Sequence, residues 1–223
     1  LVAWYAFWPR PAPASDPVPE PPAFALEFDG SGRVEVPPLP LDLSRPFTLE
    51  AWATPTALSP KRGVILGNAG PNPTDVPRNL CLEISSYRRP PTYLYAWRFP
   101  ANLGTKRAAA GERVHLAAVH EGGRVRFFVD GALNEMKDGV ALAPQPGVAF
   151  WLGFDFRGRL DYVRISQAAR YRVDFAPARI AEADEVTLAL YAFKKESGGT
   201  LPDSSGRGRH GKIIGATWVR LRD

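Results

Sequence analysis

The stretch Gly206-Arg207-Gly208-Arg209-His210-Gly211-Lys212 satisfies two phosphate-binding patterns at once, G-x-G-x-x-G and G-x-x-x-x-G-K. Both patterns hold phosphate by ending a buried strand and opening a helix whose free N–H groups face the anion. Neither flank supplies that context. Upstream, TLPDSSG carries a proline and a cluster of turn formers; downstream, KIIGATWV is rich in β-branched and aromatic residues and reads as a strand. Residue 213 is Ile where a phosphate loop needs a hydroxyl for Mg²⁺, and the chain ends too soon after it for a crossover unit. The stretch is therefore expected to be a glycine-rich turn that binds no nucleotide.

Other chemistries are excluded in the same way. Glycoside hydrolysis needs two carboxylates flanking one bond, and the nearest cluster is Glu182-Ala183-Asp184-Glu185, where the last acid breaks the strand alternation in a loop-like segment. No G-x-S-x-G nucleophile motif occurs. His115, His120 and His210 show neither H-x-x-x-H nor H-E-x-x-H spacing, and the single cysteine, Cys81, leaves no disulfide framework and no cysteine-rich zinc site. Cys81 lies in the apolar run NLCLEIS and reads as a buried thiol. These patterns point to a protein that is not an enzyme. A net charge of +5 is spread along the chain rather than gathered in blocks, which is a poor nucleic-acid footprint and leans weakly toward acidic glycans or lipid head groups.

The strongest ligand-face candidate is TYLYAWRF, since strand alternation puts Tyr93, Tyr95, Trp97 and Phe99 on one side. An aromatic row of this kind stacks on sugar rings, with Arg98 close by to bond hydroxyls or acids. The same row equally suits a sandwich core, because aromatic side chains carry the largest burial energies.

The elements that must position these residues are short. With 23 prolines and 20 glycines in 223 residues, turns are frequent and long helices are not expected. From residue 24 onward about a dozen β-like runs follow, among them FALEFDG, FTLEAWAT, RVHLAAVH, RVRFFVDG, VAFWLGF and GRLDYVRIS. That spacing predicts a sandwich or jelly roll, two layers being needed to cover so many apolar strand faces. In RVRFFVDG, Val125, Phe127 and Val129 form an inward face, and GG before it and DG after it predict hairpin turns. The stretch QAARYRVDFAPARIAEAD reads as an irregular crossover.

Residues 1–10 differ from the rest. LVAWYAFW is apolar and aromatic, too short to cross a bilayer, yet rich in the tryptophan and tyrosine that gather at membrane interfaces. Trp4, Tyr5, Phe7 and Trp8 are either the outer end of a membrane helix, serving as an anchor to membrane or partner, or an arm packed on the domain. A proline-rich linker over residues 11–23 follows and would hold residues 24–223 away from such an anchor.

Several segments together resemble the LamG-like, concanavalin A-type jelly-roll modules of bacterial envelope and secreted proteins. They are ALEFDGSGRVEVP, PFTLEAWATP, VHLAAVHEGGRVRFFVDGAL, GRLDYVRISQAARY with DFAP behind it, and LALYAFKKESGGTLPDSSGRGRHGKIIGATWV. The resemblance implies an all-β, two-layer antiparallel sandwich in which DSSGRGRHG is a turn between two strands. There Asp203, Ser204 and Ser205 would bond the backbone, and Gly206, Gly208 and Gly211 would adopt positive φ. It also implies a structural Ca²⁺ near FDG and LDYVRI, with Asp29 and Asp161 as carboxylate ligands. The chain departs from the family pattern at Phe193-Lys194-Lys195-Glu196 and at ERVHLA, where an acidic stretch and a tryptophan are usual. Trp4, Trp8 and Pro9 further resemble the membrane-exit ends of bacterial light-harvesting polypeptides, without a histidine to ligate pigment. The expectation is a non-catalytic binding or scaffolding module outside the cytoplasm, tethered at a membrane. A structural accessory subunit of a membrane complex, photosynthetic or otherwise, and a glycan-binding lectin-like domain are the alternatives.

Overall fold

The computed structural model describes residues 23–58, 62–68, 80–86, 93–98, 103–142 and 147–221. Trp4, Tyr5, Phe7 and Trp8 and the proline-rich stretch to residue 22 lie outside them. Among the described residues no helix is long and apolar enough to cross a membrane.

Two antiparallel sheets face one another. The first runs β15 (Thr217–Arg220), β1 (Phe24–Asp29), β11 (Arg157–Ser166), β3 (Phe47–Pro55), β7 (Val114–Glu121), β8 (Arg124–Val129) and β9 (Ala132–Lys137). β12 (Thr187–Tyr191) joins its eight strands by pairing the far half of β11, whose near half pairs β1. The second sheet runs β13 (Thr200–Leu201), β14 (Gly211–Ile214), β2 (Arg33–Leu39), β10 (Val148–Leu152), β4 (Gly63–Gly67), β5 (Cys81–Ser86) and β6 (Tyr93–Arg98). The all-β sandwich expected from the sequence is the fold observed.

Alternation explains how the layers close. Val125, Phe127 and Val129 of β8 are buried between the sheets, as are Val148, Phe150 and Leu152 of β10 and Leu82 and Ile84 of β5. Two-residue turns with positive φ at both positions, Gly122 (57°) with Gly123 (73°) and Asp130 (52°) with Gly131 (77°), join β7 to β8 and β8 to β9. These are the hairpin turns whose twist matches the strands they connect.

The middle of the eight-stranded sheet's outer face, over β3, β7, β8 and the far half of β11, is also buried, because residues 167–186 cross it without regular structure. Tyr171 stacks flat on Phe175 at 3.6 Å, and together with Ala169 they pack on Ala117, Val119 and Phe128. Trp52 donates its indole N–H to the Ala178 carbonyl at 2.9 Å. Beneath this strap Glu50 accepts bonds from Arg164 and, at 2.8 Å, from the Tyr171 hydroxyl, with His115 Nε2 at 3.2 Å. Burial alone would raise the Glu50 carboxyl; the His115 bond and the Arg164 charge outweigh it and hold it at about 2.

Candidate functional site

The residues singled out in the sequence scatter on folding. The aromatic row of β6 turns inward: Tyr95 and Trp97 are 2% and 1% exposed in the core, and half-buried Tyr93 packs against it. Phe99 lies outside the described residues. Tyr95 and Trp97 therefore offer no ligand face, because the apolar interior took the side with the greater burial energy. Arg98 points the other way and bonds Glu83 Oε1 at 3.2 Å.

Asp29 and Asp161 are likewise not brought together. Asp29 stands opposite Arg157 and Leu26 opposite Leu160 across β1 and β11. Asp161 is thus four residues along β11 from the partner of Asp29, roughly 13 Å at the rise of a strand. Asp29 turns back on Ser31, accepting from its N–H at 2.8 Å and its hydroxyl at 2.7 Å, and these bonds hold its carboxyl below the usual range. Asp161 accepts from Arg113 Nε at 2.6 Å, while burial pushes its carboxyl up in spite of that arginine. Neither carboxylate is placed to share an ion, so the two do not fit a calcium site. Among the described residues no three His, Cys, Asp or Glu side chains gather where a metal could sit.

The glycine-rich stretch is a turn between β13 and β14. Asp203 organises it by accepting from the N–H groups of Leu190 (3.1 Å), Ser205 (2.9 Å) and Arg209 (2.9 Å). The arginines fold onto β12 and its approach: Arg207 donates to the carbonyls of Thr187 and Glu185, both at 2.7 Å, and Arg209 to that of Leu188. Gly206 and Gly208 have positive φ of 78° and 68°. Gly211 does not; it opens β14, where a Cβ would come within 2.6 Å of Val34 Cγ1. A small residue is needed there for strand packing, and no helix follows to face a phosphate.

What the turn does position is its last two polar residues, on the outer face of the seven-stranded sheet. Register places Thr200, Lys212, Glu35, Trp151, Gly67, Cys81 and Arg98 in one transverse row over seven strands. In the half formed by β14, β2 and β10 this row lines an open depression of about 390 Å³, with Glu35, Pro37, Ala149, Trp151, His210 and Lys212 around it. β10 makes this possible by alternation: Val148, Phe150 and Leu152 enter the core, so Ala149 and Trp151 must face out. Toward the β5 side of this face Cys81 in the row and Glu83, two residues farther along the same strand, are fully buried.

Trp151 is half-buried. The Arg33 guanidinium lies 5.2 Å from its ring centroid, and Phe154 packs at 5.2 Å on a tilt of 56°. Arg33 also donates from Nε (3.0 Å) and Nη2 (2.7 Å) to Glu35 Oε1, so carboxylate, guanidinium and indole form one braced unit. His210 Nδ1 accepts the Asp203 N–H at 3.0 Å, which leaves the neutral ring's proton on Nε2. The depression thus joins a fixed aromatic ring to donors of three kinds and one carboxylate. VAFWLGF reads from the sequence as a strand without singling out Trp151, although its alternation marks Trp151 as an outward residue.

The fold is shared with solved structures. A candidate carbohydrate-binding protein from Bacteroides ovatus aligns with 92% of this chain at 20% identity and a TM-score of 0.70. This chain spans 62% of that protein's length. The heptameric SAP-like pentraxin of Limulus polyphemus aligns with 67% of this chain and 78% of its own, at 11% identity and a TM-score of 0.50. No curated protein matches the chain. The family model of the concanavalin A-like lectin/glucanases superfamily matches residues 28–172, well over half of the sequence, and the chain belongs to that superfamily.

Proposed function

We propose that this chain is a non-catalytic carbohydrate-binding module whose ligand rests on Trp151. The observation that carries this reading is a half-buried indole, braced by Arg33 and Phe154, in an open depression with Glu35, His210 and Lys212 around it. Sugars present apolar C–H faces and a rim of hydroxyls, so they suit an aromatic platform ringed by donors and acceptors. The candidate carbohydrate-binding character of the Bacteroides ovatus protein supports the same reading.

Hydrolysis is not favoured by this face. Its strand-borne carboxylates are Glu35 on β2 and Glu83 on β5, with β10 and β4 between them. Three strand spacings separate the two strands by roughly 14 Å, beyond the span at which two carboxylates can act on one glycosidic bond. Each is moreover engaged by arginine, Glu35 by Arg33 and Glu83 by Arg62 and Arg98.

The setting we propose is outside the cytoplasm, with the N-terminal aromatic segment as tether to a membrane or membrane-protein assembly. Its support is sequence alone, LVAWYAFW followed by a proline-rich spacer. The test of the binding reading is a titration of the protein against defined oligosaccharides, with Trp151→Ala alongside. The substitution should weaken the bound glycan at least tenfold and leave thermal unfolding within a few degrees. Equal binding by Trp151→Ala, or no binding of any sugar by the wild type, would overturn it.

A further inference from the structure

The charges around the Trp151 depression do not cancel. Arg33 and Glu35 form a pair at 2.7 Å, and both of its bonds fall on Oε1, so the carboxylate is already neutralised from its own strand. Lys212 stands opposite Glu35 in register, is exposed, and has no carboxylate partner among the described residues. His210 adds a neutral donor, since its Nδ1 is occupied by the Asp203 N–H and its proton sits on Nε2. Farther along the same face Glu83 meets two arginines, Arg62 at 3.6 Å and Arg98 at 3.2 Å. The outward-facing strand residues together with Arg62 therefore carry four cationic side chains, Arg33, Arg62, Arg98 and Lys212, against two carboxylates. A neutral sugar would leave the Lys212 ammonium without a counter-charge, whereas an acid group would satisfy it.

We infer that the depression selects glycans bearing an anionic oxygen group, which Lys212 and the His210 Nε2–H receive while the sugar ring rests on Trp151. This rests on the carbohydrate-binding reading and adds the substrate class to it. Carboxylate and sulfate ester share the chemistry, and Glu35 Oε2, which accepts from no described residue, is left to take a ring hydroxyl. A charge-assisted bond of this kind also has a salt signature, because ions screen an exposed ammonium.

The experiment compares acid and neutral forms of the same sugars: a galacturonate oligosaccharide with its methyl ester, and a sulfated galactan oligosaccharide with its desulfated counterpart. Each is titrated against wild type, Lys212→Ala and Trp151→Ala. The expected result is that at least one acid form binds about tenfold tighter than its neutral partner, that the gap closes in Lys212→Ala and shrinks as salt rises, and that Trp151→Ala weakens both forms. The pair that shows the gap tells carboxylate from sulfate. Equal affinity for acid and neutral forms would overturn the selectivity and leave carbohydrate binding standing. An acid preference that survives Lys212→Ala would also overturn it. If no form binds while some other neutral glycan does, the acid class is wrong; if no glycan binds at all, the carbohydrate reading fails with it.

Discussion

Glu50 of β3 and Arg164 of β11 stand in register on neighbouring antiparallel strands and pair with each other beneath the strap, 2% and 6% exposed. A buried ion pair of this kind is a weak source of net stability but a severe liability once halved. Glu50→Gln leaves the Arg164 charge buried without its counter-ion and should destabilise the protein by about 3–5 kcal/mol. The double substitution Glu50→Met with Arg164→Met should destabilise less than either single one. Urea unfolding of Glu50→Gln, the two single methionine variants and the double variant measures this, and a Glu50→Gln loss below about 1 kcal/mol would mean the pair does not hold the strap.

The same carboxylate sets an acid limit on the fold. Glu50 is held at about 2, against an ordinary value of 4.5. Its folded value is depressed, so the unfolded chain takes up the proton first. The contribution is complete above about pH 4.5 and drains away as pH falls toward 2, for a total of roughly 3 kcal/mol. Unfolding followed from pH 6 to pH 2 should show wild type and Glu50→Gln converging at the acid end. Parallel curves across that range would place the acid sensitivity elsewhere.

Two hairpin glycines separate backbone strain from crowding. Gly122 and Gly131 both have positive φ, 57° and 77°. A Cβ on Gly122 would meet nothing within 4 Å, whereas one on Gly131 would strike the Phe175 carbonyl and lie 2.9 Å from Pro177 Cδ. Gly122→Ala should lower stability by about 1–2 kcal/mol through left-handed strain alone. Gly131→Ala should lower it further, because the strap must lift from the hairpin, and melting temperatures of the two variants would show the order.

The two outward and inward tryptophans of the seven-stranded sheet should behave oppositely. Trp97→Ala empties core volume and should destabilise by about 3–5 kcal/mol. Trp151→Ala removes a half-buried ring from an open surface and should unfold near the wild-type temperature while losing ligand. Similar melting losses for both would place Trp151 in the structural core.

Much of the scaffold was legible because strand alternation and turn glycines are local signals. RVRFFVDG gave its inward face and its DG turn, and QAARYRVDFAPARIAEAD gave its irregular crossover. ALNEMK carries no strand signal in the sequence, because β9 is an edge strand with no buried face to impose alternation. KIIGATWV reads as one strand, whereas Gly215, at φ 69°, divides β14 from β15. The site was harder to see. Alternation says that Tyr93, Tyr95 and Trp97 share a side but not which side faces water, and the inside won. Alternation in RVRFFVDG puts Phe128 on the side of Arg124 and Arg126, opposite Val125, Phe127 and Val129, and it is buried there because the strap covers that part of the sheet, a tertiary fact with no local signature. Lys212, Glu35 and Trp151 become neighbours only through the pairing of three strands distant in sequence.

The most direct test of the carbohydrate site is an indole N–H spectrum recorded during glycan titration. The chain has six tryptophans, and among the described ones Trp52 and Trp218 give their indole protons to backbone carbonyls while Trp97 is in the core. Assignment by single substitution would give each resonance its residue. The Trp151 indole signal should shift with ligand and follow the binding curve, with those of Trp52, Trp97 and Trp218 fixed. Saturating glycan that leaves Trp151 unmoved while another indole shifts would contradict a site on Trp151 and put the ligand elsewhere on the molecule.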